Sequence, residues 1–101
     1  MEQRLKNYRQ QKARLEYLKL TGEETEEIKQ LEAEIALIDT LLKALGKEDL
    51  FIVRAFFIDA LPWKKVCVEW QNTYGEYVSK DCLRKRKHKA LEIMKKIESP
   101  N

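Results

Sequence analysis

Ile28, Leu31, Ile35, Ile38, Leu42 and Leu45 stand 3, 4, 3, 4 and 3 residues apart. A helix gathers such a series on one side, whereas a strand would scatter it over two faces. A seam of this period packs against another helix, as in a coiled coil. The helix is expected over about residues 23–45. Glu23, Glu24, Glu26 and Glu27 crowd its first turns, where negative charge favours the positive end of the helix dipole. Lys43 stands near its last turn and Gly46 ends it.

Upstream, Leu5, Tyr8, Lys12 and Leu15 follow a 3-4-3 spacing and Leu18 continues the face, which predicts a helix over about residues 2–20. That segment carries six Lys or Arg against two Glu. Gly22 suits a left-handed stop, and Thr21 with Glu24 reads as a capping box for the acidic helix. A basic and an acidic helix joined by a tight turn predict an antiparallel hairpin, with opposite charges setting the pairing. Two helices alone bury little. The seam is therefore expected to dock on a second chain or on the C-terminal helices, and it is read as an oligomer seam.

The rest of the chain is punctuated as helices too. It has three glycines and two prolines, and no strand-like alternation of useful length. Residues 48–60 hold Leu50, Phe51, Val53, Phe56, Phe57 and Ile58, apolar nearly all round, as a central core helix is. Pro62 opens a short helix with Trp63, Val66, Cys67 and Trp70 on one face and Lys64, Lys65 and Glu69 towards water, ending near Asn72. Ser79 is a good N-cap for a final helix, with Asp81 in its first turn. Leu83, Ala90, Leu91, Met94 and Ile97 share one side of that helix; Arg84, Lys85, His88, Lys89 and Glu92 lie towards the other. The tail, Ser99-Pro100-Asn101, is expected to fray.

The expected fold is all-α: an N-terminal helical hairpin over residues 1–46, then a three-helix helix-turn-helix module over residues 47–101. Charge separates the two. Residues 1–50 carry 9 basic and 11 acidic side chains, residues 51–101 carry 11 basic and 6 acidic, and the C-terminal excess points to a polyanionic partner. Cys67 and Cys82 are the only cysteines and His88 the only histidine, too few for a four-ligand zinc site. Both cysteines are expected to be small buried residues. No Gly-rich phosphate loop, nucleophile with its base or metal cluster is present, so neither an enzyme nor a cofactor is expected. The charged N-terminus lacks an apolar signal core and no stretch is apolar enough to span a bilayer, so a cytoplasmic protein without membrane contact is expected.

A short helix, a turn and a longer helix with basic first turns suit double-stranded DNA. The major groove admits one helix, whose N-terminal residues reach base edges while flanking cations meet phosphates. Lys80, Arg84, Lys85 and His88 are the candidate base contacts. Lys64, Lys65, Ser79, Arg86, Lys87 and Lys89 are the candidate phosphate contacts.

Residues 47–97 also resemble region four of bacterial sigma factors and the phage-encoded regulators built on it, including the ArpU and RinA type late-gene and packaging regulators. Leu50 to Phe57 resembles the lead-in helix. Trp63 to Trp70 resembles the first motif helix, with Val66-Cys67 where an Ile-Ala pair is common. Leu83, Arg84, Arg86, Lys89 and Ala90 match the recognition-helix pattern. Two departures stand out: the turn from Gln71 to Val78 is longer than the usual tight one, and Lys87 occupies a normally apolar position, so its stem must snorkel. The resemblance implies a phage or prophage transcription regulator with residues 79–97 in the major groove. Its hairpin would mediate dimerisation or higher oligomers, or contact RNA polymerase. The rivals are a small-terminase-like packaging protein, expected as a ring, and a polymerase or sigma adaptor that binds no DNA.

Overall fold

A computed structural model describes residues 1–22 and 25–99. Helix α1 (Glu2–Leu20) and helix α2 (Glu26–Lys43) form the hairpin. Helix α3 (Lys47–Val53) runs straight into a π-helical turn (Arg54–Ile58), and α4 (Trp63–Tyr74) and α5 (Lys80–Glu98) follow. No strand occurs among the described residues.

The antiparallel pairing of α1 with α2 is tied by the charges that sequence reading singled out. Arg4 meets Glu34 at 2.8 Å, Arg14 meets Glu27 at 3.0 Å and Lys19 meets Glu32 at 3.4 Å. The Tyr8 hydroxyl donates to Asp39. These are largely exposed pairs, which fix register more than they add stability. Gly22 takes the left-handed conformation expected of it (φ +74°). The Thr21 hydroxyl donates to the Leu18 carbonyl at 2.8 Å, so it closes α1. Helix α2 takes Thr25 as its N-cap, so Thr21 does not cap it as the capping box required; Glu23 and Glu24 lie outside the described residues, as do Pro100 and Asn101.

Four of the six seam residues are buried within the chain. Ile35, Ile38, Leu42 and Leu45 are buried in one cluster with Leu5 and Tyr8 of α1, Val53 and Phe57, and Ala90, Leu91 and Met94 of α5. The oligomer-seam reading is corrected on this point: the C-terminal helices fill the seam from within the chain. Only Ile28 and Leu31, at the far end of the hairpin, remain half-exposed. The boundary at residues 46–47 is thus a turn and not a break in packing. A second cluster of Ile52, Ala55, Val66, Trp70, Val78 and Leu83 lies under α4. Helix α5 belongs to both, with Leu83 in the second and Ala90, Leu91 and Met94 in the first.

Three further expectations need correcting. Ile97 is 47% exposed, although Glu98 beside it still pairs with Arg4 of α1; it lines a shallow apolar depression with Leu37 of α2. Cys82 is exposed and Cys67 only half-buried, because Leu83 takes the inward position in the first turn of α5. The short helix α4 extends to Tyr74 and stops at Gly75 (φ +72°), so the connection to α5 is only Gly75–Ser79. It is shorter than Gln71–Val78 and closer to a tight motif turn.

The π-helical turn ends where the Asp59 N–H reaches the Arg54 carbonyl at 2.8 Å and the Leu61 N–H reaches that of Ala55 at 2.9 Å. Closing this loop puts Ala60 at φ +52°, which a Cβ disfavours. Ala60→Gly is expected to stabilise the fold by roughly 0.5 kcal/mol, since relief of about 1 kcal/mol of left-handed strain exceeds the roughly 0.5 kcal/mol cost of the added chain entropy. The denaturant midpoint measures it, and a lower midpoint would contradict this account.

Candidate nucleic-acid interface

The first turns of α5 are held from beneath and capped from in front. Ser79 Oγ accepts from the Cys82 N–H at 3.3 Å, as expected of the N-cap, and Asp81 stands in the first turn. Leu83 is fully buried below. At about 100° per residue, Lys85 then stands opposite the buried Leu83, Ala90 and Met94, with His88 and Lys89 to either side. All three are exposed, and none has an ion-pair partner among the described residues. They form the outer ridge of the helix.

Lys80 and Arg84 are also exposed but turn sideways towards α4. The Lys80 amine and the Arg84 guanidinium carbon each lie 5.9 Å from the Trp63 ring centroid. Lys87 lies on the same flank, its amine 5.2 Å from Trp63 and 5.7 Å from both Phe56 and Phe57. This is the snorkelling that its apolar position demands. Lys64 and Lys65 follow Trp63 in the first turn of α4 and are exposed.

Arg86 is placed otherwise than its phosphate assignment requires. It is half-buried, paired with Glu48 at the start of α3, and 5.3 Å above Trp70. Burial opposes its charge, but the hydrogen bond and attraction of Glu48 outweigh that, and its pKa ends above the ordinary value. Arg86 is therefore a strut between α5 and α3, corrected from a phosphate contact. Of the other candidates, Lys64 and Lys65 stand in the first turn of α4, and Ser79, Lys80, Arg84, Lys85, Lys87, His88 and Lys89 at the cap and along the N-terminal half of α5.

The shared face of Trp63, Val66, Cys67 and Trp70 predicts burial of both tryptophans. Trp70 is fully buried, but Trp63 is half-exposed and packs on Phe56 with ring centroids 4.0 Å apart. Its place at the first residue of α4, one turn ahead of the buried Val66, was the signal available.

Cations outnumber carboxylates on this surface, where Asp81 and Glu92 share the outer side of α5 with Lys85, His88 and Lys89. The surface can bind an extended anion along a ridge. No cluster of three or more metal-ligating side chains occurs among the described residues. No helix among them is long and apolar enough to cross a membrane. Comparison with protein-family models, with curated proteins and with solved structures finds no match to this chain.

Proposed function

We propose that this protein is a sequence-specific, double-stranded DNA-binding transcription regulator of the kind that phages build on sigma region four, with the first turns of α5 entering the major groove. The observation that carries this reading is the ridge of Lys85, His88 and Lys89. It makes no ion pair among the described residues and stands on a capped and buttressed helix. A ridge of that width is what the groove admits. Lys85 and His88 read base edges; Lys64, Lys65 and Lys89 meet phosphates.

The inner hairpin seam is already filled, so a second copy or RNA polymerase has to meet the protein on the outer sides of α1 and α2. The expected arrangement is a DNA-reading C-terminal module braced by the hairpin.

Selection from random duplexes tests the reading. The wild-type chain is expected to enrich a short motif. Lys85→Ala should flatten preference at one or two positions, by about tenfold in discrimination for a lost base contact. Lys64→Ala should weaken binding to all sequences alike. No enrichment by the folded wild-type chain would contradict the sequence-specific reading.

A further inference from the structure

Trp63 gathers three cations. The charged groups of Lys80, Arg84 and Lys87 lie 5.2 to 5.9 Å from its centroid, so no two are more than about 12 Å apart. None is in an ion pair among the described residues, where the paired cations are Arg4, Arg14, Lys19 and Arg86. Like charges at such separations still repel, since the screening length at physiological salt is about 8 Å. The ring face attracts each cation but carries no net charge to neutralise them. The floor is fixed, because Trp63 rests on Phe56 and the Lys87 stem lies over Phe56 and Phe57. What this arrangement lacks is an anion.

We infer that Lys80, Arg84 and Lys87, held around the ring of Trp63, form a seat for a phosphoryl anion, with Trp63 as its positioning residue. The inference rests on the DNA reading for its natural occupant, a backbone phosphate beside the groove that α5 enters. It also moves Lys80 and Arg84 from the bases to the backbone.

The test uses the full chain and four proteins: wild type, Lys87→Gln, Trp63→Leu and Trp63→Phe. Duplex affinity is measured across salt concentrations. Lys87→Gln is expected to weaken binding to every duplex about fivefold and to flatten the log–log salt slope by about one. Trp63→Leu should flatten it further, because all three cations lose their common support, and Trp63→Phe should restore most of the loss. A second arm replaces chloride by inorganic phosphate at constant ionic strength and follows tryptophan emission. The wild type should respond while Lys87→Gln and Trp63→Leu respond less, since the remaining Trp70 is fully buried.

Folded Lys87→Gln and Trp63→Leu proteins with wild-type salt slopes would overturn the seat while leaving DNA binding intact. If Trp63→Leu fails to fold, Lys87→Gln alone decides. A wild type that binds no duplex yet responds to phosphate would overturn the DNA reading and keep the seat for a free phosphoryl ligand. A wild type that does neither would overturn both.

Discussion

Ile38→Ala is expected to destabilise the protein by about 2–5 kcal/mol, the range for truncating a fully buried aliphatic side chain. Ile38 has no solvent exposure and sits where α1, α2 and α5 share one cluster. A domain of this size has only about 5–15 kcal/mol in hand, so the loss is a large fraction of the whole. Its second signature is more telling. If the seam closes within the chain, the melting temperatures of wild type and variant are independent of protein concentration. An interchain seam would make both rise with concentration by mass action. Thermal melts over a hundredfold range of concentration distinguish the two, and a rising midpoint would contradict the intrachain assignment.

The second large effect is on binding. Lys85→Glu combined with Lys89→Glu reverses two charges on the outer ridge of α5. Each reversal removes a favourable contact with DNA and adds a repulsive one. The expected loss of duplex affinity is at least about a hundredfold at physiological salt. Both side chains are exposed and without ion-pair partners among the described residues, so the melting temperature should change little. A folded double variant that binds duplex as tightly as the wild type would remove α5 from the interface.

Much of the fold was legible because helices announce themselves by period and punctuation. Leu5, Tyr8 and Leu18 on one helix and Ile35, Ile38 and Leu42 on the next gave the hairpin. Gly22, Gly46, Pro62 and Gly75 marked the breaks, and Ser79 marked the start of α5. The partner of the seam was not legible. A 3-4 repeat says that a side is apolar and leaves open whether the chain or a second copy covers it. The π-helical turn was not legible either, since Arg54 to Ile58 carries no residue that demands the wider winding.

The candidate site was legible in outline only. The basic run pointed to one helix, but its division depended on where each residue falls around α5. Arg86 and Lys87 differ by one position in sequence, yet one is paired with Glu48 and the other reaches to Trp63. Neither partner is near in sequence, so no local pattern revealed them. Cys82 and Ile97 show the same limit near the two ends of α5, where the helical period continues but the side chain is left uncovered.

On the reading proposed above, the basic ridge of α5 binds duplex DNA through its charges. Fluorescence anisotropy of a labelled duplex, titrated with the wild-type chain from low to high salt, tests it most directly. With roughly five phosphates neutralised, log affinity should fall against log salt with a slope of about −4 to −5. A flat response, or no binding at low salt, would contradict it.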